Sequence, residues 1–375
     1  MISDQRNSLI RKTKVAIEVE QAGAIVYRAV SLDREYLAGR AFDQYAEKHK
    51  ADLRNFSASR KSRIADDLKT HISYLQESLA IDNAAIFADY CLWARARFAA
   101  ERLPDNYLTS LLAAFDEIRE DFPADYRKEV HRIIRESIRA LGQVPAEIPS
   151  FIHADDRLAP VALSYLEALL AVNREKARKL IADALASGVP ARDIYLGVFQ
   201  PVLREAGRLW QLGKLSVAEE HYITASVQLS IARLHDQIIS TGAKKRKGKT
   251  LVAACVEKEL HEVGMRIVTD FFEMDGWDTY FVGANTPAQS LITAARDRNA
   301  DVVAISSTMT FHIPVVDYLI RSLRADEGTK KAKILVGGYP FAIVPGLWKQ
   351  VGADGFAQDA EEAVAVANRL VAESR

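Results

Sequence analysis

Cysteine is scarce in this chain of 375 residues: Cys91 and Cys255 stand far apart and offer neither a disulfide framework nor zinc-ligand spacing, which places the protein in a reducing cytoplasm. Long apolar runs are also missing. No stretch approaches the roughly 20 residues needed to span a bilayer, and no signal-peptide pattern is present. Neither sign of charge is in excess, since 50 Lys and Arg balance 50 Asp and Glu, as in a soluble multidomain chain. The chain has no GxGxxG after its first strand-like run and no GxxxxGK[ST] anywhere, which removes the usual warrants for a dinucleotide or a nucleoside triphosphate. It shows no kinase motif, no cyclase sequence and no base-reading helix, so nucleic acid is not an expected partner.

What is present is an alternation. Five strand-like runs, Thr250–Glu257, Asp278–Gly283, Asp301–Thr308, Lys333–Gly338 and Asp354–Asp359, are separated by helical stretches. This order predicts a flavodoxin-like, doubly wound, five-stranded parallel sheet over residues 250–375. Ligands of such sheets bind beyond the carboxyl ends of the strands at the switch point, and those ends carry His261, Ser306-Ser307-Thr308 and Gly337-Gly338. His261 falls on the loop between the first strand and its helix, with Glu259 two residues before it and Gly264 three after. A carboxylate placed to orient an imidazole suits a metal-binding histidine.

Upstream, apolar stripes predict helices over Val161–Leu170, Glu175–Leu185, Ala191–Gly213 and Ser216–Ile239, a four-helix bundle across 161–240. Ser216 and Glu219 have the spacing of a capping box. A basic linker, 241–249, joins the bundle to the sheet and is read as a hinge. Residues 1–142 form an N-terminal helical domain: the first stretch is rich in Arg and Lys, and helices from Asp67 to Leu141 break at Leu103-Pro104 and Phe122-Pro123. The connector 143–160 holds Pro145, Pro149 and Pro160. The fold class is therefore mainly α plus α/β. Tyr74, Tyr90, Trp93, Phe98 and Phe115 are assigned to core packing, with a flat ligand as the alternative.

ExHxxG at Glu259, His261 and Gly264, SxT at Ser306 and Thr308, and GG at Gly337-Gly338 together resemble the cobalamin-binding domain family. The likeness extends through Gly276-Trp277, Gly283 to Pro287 and Val351 to Phe356, nearly all of 250–375. It implies His261 as the lower ligand to cobalt and a nucleotide tail running into the sheet beside the serine and the glycines. Glu259 departs from the aspartate of many relatives, and a longer carboxylate still reaches the Nδ1–H. The paired glycines have a physical reading as well, since a β-carbon at either would collide with a tail lying against the backbone.

Trp210, nine intervening residues and then Glu220-His221 resemble the helical cap of light-sensing cobalamin proteins. That likeness implies that Trp210 shields a 5′-deoxyadenosyl group, that Glu220 holds its hydroxyls, and that His221 is an upper ligand after photolysis. Gln211 stands where some light-dependent repressors carry a histidine. The whole layout resembles photocobilins, which implies biliverdin as a second chromophore. The expectation is thus a non-catalytic adenosylcobalamin light sensor whose domain packing or homo-oligomeric state changes on illumination, signalling through a separate effector. The alternative is a corrinoid methyl carrier for a methyltransferase system; a mutase subunit ranks third.

Overall fold

The computed structural model describes residues 30–54, 56–144, 148–242 and 246–373, so the first part of the Arg- and Lys-rich stretch lies outside the described residues. The chain divides into two compact units. The first comprises Met1–Glu147 with the segments Met309–Pro314 and Tyr339–Gln350; the second comprises Ile148–Thr308, Val315–Gly338 and Val351–Arg375.

In the first unit the helices are α1 (Arg34–Lys48), α2 (Lys50–Arg54), α3 (Ala58–Ile81), α4 (Ala84–Ala100), α5 (Tyr107–Glu117) and α6 (Arg127–Gln143). Their ends follow local chemistry. Ser57 caps α3 by accepting from Arg60 N, Asp82 ends it in a left-handed conformation, and Asn83 caps α4 by accepting from Ala85 N. The expected breaks near Pro104 and Pro123 are both present. Leu68, Ile72, Phe87, Cys91, Phe98, Leu111, Phe115 and Ile133 form a common core. Tyr74 stacks on Tyr90 at 3.8 Å between ring centroids, within the assigned aromatic packing.

The second unit opens with α7 (Ala159–Leu170), α8 (Arg174–Ala186), α9 (Ala191–Ile194), α10 (Gln200–Gln211) and α11 (Val217–Gly242). The predicted helix from Ala191 to Gly213 is helical without a gap to Gln211 but contains a π turn over Tyr195–Phe199, which a 3.6-residue periodicity does not reveal. The capping box is realised: Ser216 N donates to Glu219 Oε2 at 2.7 Å and Glu219 N to Ser216 Oγ at 3.2 Å.

Five parallel strands follow, β1 (Thr250–Val256), β2 (Asp278–Thr286), β3 (Val302–Ser306), β4 (Lys333–Gly337) and β5 (Gly355–Ala357), in the order β2-β1-β3-β4-β5. The intervening helices are α12 (Val263–Met274), α13 (Ala288–Asp297), α14 (Ile313–Ala325), α15 (Tyr339–Ile343), α16 (Leu347–Gln350) and α17 (Ala360–Ala372). Residues Leu251–Val256 of β1 are all buried, as a central strand covered on both faces requires. Several predicted strands were too long because their end residues do other work. Asp359 caps α17 by accepting from Glu362 N, and Asp301 accepts from Thr250 N at 2.9 Å. Of the basic linker, Lys247 N donates to Gly276 O and Lys249 Nζ to Asp301, which ties this end to the sheet.

Candidate functional site at the carboxyl ends of the strands

The strand order reverses between β1 and β3, and the register aligns Cys255 with Ser306 and Ser306 with Gly337 across three strands. The chain leaves β1 through Glu257 and turns at Lys258, which adopts a φ of 67°. That turn is held by the neighbouring loop: Lys258 N donates to Asn285 Oδ1 at 2.8 Å, and Asn285 N donates to Glu259 O at 2.8 Å. Glu262 adds a further tie by accepting from Ala284 N at 3.0 Å. Asn285 and Glu262 therefore position the His261 loop, a role that the motif alone did not assign to them.

Glu259 is fully buried, and its carboxylate joins the two sides of the switch point. Oε1 accepts from His261 N at 3.0 Å and from His261 Nδ1 at 2.5 Å, while Oε2 accepts from Thr308 N at 2.7 Å. A buried carboxylate is tolerable when several donors satisfy it. The bond to Nδ1 fixes the tautomer that leaves Nε2 as the lone-pair nitrogen. His261 is 62% exposed, so that nitrogen is open to a ligand. Hydrogen bonding to Glu259 raises the imidazole pKa above its ordinary value against the opposing effect of partial burial, and the charge of Glu220 raises it further. A more basic imidazole is a better donor to a metal. Burial, reinforced by Glu259 and Glu262, pushes the Cys255 thiol up to about 12, so it remains a neutral neighbour that donates to His261 O.

The motif glycines divide by cause. Gly338 has a φ of 103°, and a β-carbon there would lie 1.9 Å from Ser307 O, so the fold itself demands glycine. A β-carbon at Gly337 would meet only Ala357 O at 3.5 Å, and one at Gly264 would meet nothing within 4 Å. These two positions leave room on the carboxyl edge that the protein's own packing does not use. An exposed imidazole nitrogen, a buried orienting carboxylate and the open positions at Gly264 and Gly337 have the chemistry and the room to fit a large metal-bearing group with an extended tail.

Glu259, His261 and Thr308 are thus brought into direct contact, Ser306 and Gly337 pair in register, and Gly338 lies against Ser307. The Glu220 carboxylate, on α11, accepts from the Thr224 hydroxyl at 2.7 Å, and Glu220 Oε2 is 4.0 Å from His221 Nε2. His221 is 67% exposed, and Trp210 at the end of α10 is 42% exposed. The indole is therefore not the buried packing residue of an ordinary bundle.

Residues 249–367 match the B12 binding domain family, and residues 161–235 match a second B12 binding domain family. The dimethylamine corrinoid protein 3 of Methanosarcina acetivorans is 27% identical over 206 residues, 55% of this chain and 94% of that protein. The dimethylamine corrinoid protein of Methanosarcina barkeri is 27% identical over 207 residues, 55% of this chain and 95% of that protein. The structure of the Methanosarcina barkeri monomethylamine corrinoid protein has a similar fold, with a TM-score of 0.50 and 21% identity, covering 57% of this chain and 99% of that one. These relatives overturn the expected adenosylcobalamin light sensor with a light-dependent homo-oligomeric state: they are named as methylamine corrinoid proteins, and the Trp210, Glu220 and His221 spacing that carried the sensor likeness occurs on a cap of the same B12 binding type. Two consecutive segments of the chain, the helical one first and the sheet domain after it, therefore match B12 binding domains.

Proposed function

We propose that this chain is a corrinoid methyl carrier, itself non-catalytic, that serves a separate methyltransferase. The observation that carries the reading is the Glu259–His261 pair, in which a fully buried carboxylate holds Nδ1 and leaves an exposed nitrogen beyond the end of β1. His261 would hold the cobalt through Nε2, with Glu259 positioning the imidazole. Gly264, Ser306, Thr308, Gly337 and Gly338 border the path of the nucleotide tail. Trp210, Glu220 and His221 lie on the helical cap and would cover a corrinoid held by His261. When bound, the corrinoid supplies a cobalt centre that takes up a methyl group and gives it back. The upper group in this proposal is methyl in place of adenosyl. The matched descriptions name B12 alone and lend biliverdin no support. The boundaries 161–240 for the cap, 241–249 for the linker and 250–375 for the sheet domain belong to the same proposal.

The test is the visible spectrum of the purified chain reconstituted with methylcobalamin and freed of excess ligand. The parent is expected to retain the corrinoid with a histidine-ligated spectrum, and His261→Ala to lose that signature and bind at least tenfold more weakly. Equal affinity and an unchanged spectrum in the variant would overturn the ligand assignment. Dimethylamine-type relatives also make a methylamine-linked methyltransferase the partner to try first.

A further inference from the structure

A second polar cluster joins the helical bundle to the α/β domain, toward the C-terminal half of α12. Asp270 is 1% exposed, yet both of its oxygens are engaged: Oδ2 accepts from the Tyr195 phenol at 2.8 Å and Oδ1 from Arg266 Nε at 3.0 Å. His235 Nε2 lies 2.5 Å from Glu273 Oε2 and 3.9 Å from Asp270 Oδ1, and Glu273 Oε1 accepts from the Thr279 hydroxyl. Tyr195 and His235 come from two different elements of the bundle, whereas Asp270 and Glu273 both come from α12.

Two features set this apart from ordinary packing. Burying a carboxylate is costly, and an apolar contact of the same shape would hold the two layers together at least as well. Tyr195 also opens the π turn over Tyr195–Phe199, where Gln200 N–H bonds to Tyr195 O, and the turn is packed so closely that a β-carbon at Gly197 would lie 2.9 Å from Leu158 Cδ1. Turns of this kind are rare and are frequently found at functional sites.

The cluster ends a line of polar contacts along α11. Gln228 Nε2 lies 3.5 Å from Glu262 Oε1, and His235 meets Glu273. From Gln228 to His235 is seven residues, about two helical turns. The same face of α11 therefore runs from the His261 loop to the buried carboxylate.

We infer that Tyr195, His235, Asp270 and Glu273 form a latch that sets how readily the bundle lifts from α12, and so how accessible the upper face of the bound corrinoid is to its partner. The inference rests on the proposed carrier function for its second half and on the geometry alone for its first. Tyr195 and His235 act as positioning residues, since neither touches the site around His261.

The experiment compares the full-length parent with Tyr195→Phe and His235→Gln. Amide hydrogen exchange of peptides spanning 225–235 and 265–274 reads the bundle contact without any corrinoid. The rate at which cyanide replaces hydroxide on bound hydroxocobalamin reads access to the upper face. Both variants should exchange amides at least threefold faster in both peptides and take up cyanide at least threefold faster, with His261 ligation retained. Parent-like amide exchange in both variants overturns the latch. Faster amide exchange with parent-like cyanide rates overturns its control of access. Failure of the parent to retain hydroxocobalamin overturns the carrier reading, and the amide exchange then still decides the latch.

Discussion

Gly338 and Gly264 both belong to the cobalamin-domain motif, yet they respond to different forces. Replacing Gly338 with alanine forces a left-handed residue with a φ of 103° into contact with Ser307 O and is expected to destabilise the protein by about 1–3 kcal/mol. Replacing Gly264 places a methyl in open space within the first turn of α12, so stability should stay level or rise by about 0.5–1 kcal/mol, while corrinoid affinity falls. Urea unfolding and a corrinoid titration on both variants separate the two causes; equal stability losses would show that Gly264 is structural. The sequence reading explained both Gly337 and Gly338 by a tail lying on the backbone. Only the structure shows that Ser307 already demands one of them, because a backbone carbonyl from another strand has no signal in local sequence. The Glu259–His261 contact was legible, since two residues of spacing on a loop can meet without tertiary help. The third donor to that carboxylate, Thr308 N, depends on β1 and β3 being neighbours.

Among the buried titratable groups of helix α3, His71 and Glu77 have opposite consequences for pH. Burial, aided by the charge of Arg97, lowers the His71 imidazole to about 3; its Nδ1 lies 2.6 Å from the Tyr90 hydroxyl. The unfolded chain takes up this proton near 6.5, so between that value and about 3 the unfolded state binds more protons and stability falls as pH falls. Burial, only partly offset by Arg34, raises Glu77 from 4.5 to about 7. Here the folded state holds a proton that the unfolded chain has released, and stability is lost as pH rises through that window. His71→Gln should therefore gain on the parent below pH 6.5, and Glu77→Gln should gain on it between pH 4.5 and 7, each by at most about 1.4 kcal/mol per pH unit. Denaturation midpoints across pH 4 to 8 decide this, and parallel curves for variant and parent would refute it. The start of α11 was legible because Ser216 and Glu219 cap it with their own side chains. The π turn at Tyr195 escaped notice because the groups it packs against, Leu158 and Asp270, are distant from it in sequence.

At the scale of the whole molecule, corrinoid binding and folding are linked. A ligand bound only by the folded state at about 100 times its Kd adds roughly 2.7 kcal/mol to stability, so methylcobalamin should raise the thermal midpoint of the parent. At the same concentration the gain in His261→Ala should largely vanish; equal gains would mean that the lower ligand contributes nothing to affinity. Among the described residues, no helix is long and apolar enough to cross a membrane, in line with the sequence. The light-sensor expectation failed at this scale. It rested on Trp210, Glu220 and His221, three side chains whose surroundings a spacing cannot specify. The sequence by itself determined the parallel sheet, the helical cap before it and the Glu259–His261 pair, because alternating apolar runs, caps and short-range spacing are local properties of the chain. Tertiary structure alone decided that Thr308 closes the Glu259 cluster, that Gly338 is required by Ser307, and that Tyr195 and His235 converge on Asp270 and Glu273. Each of these depends on strands or helices far apart in sequence being brought within hydrogen-bonding distance, which only burial of the shared core can do.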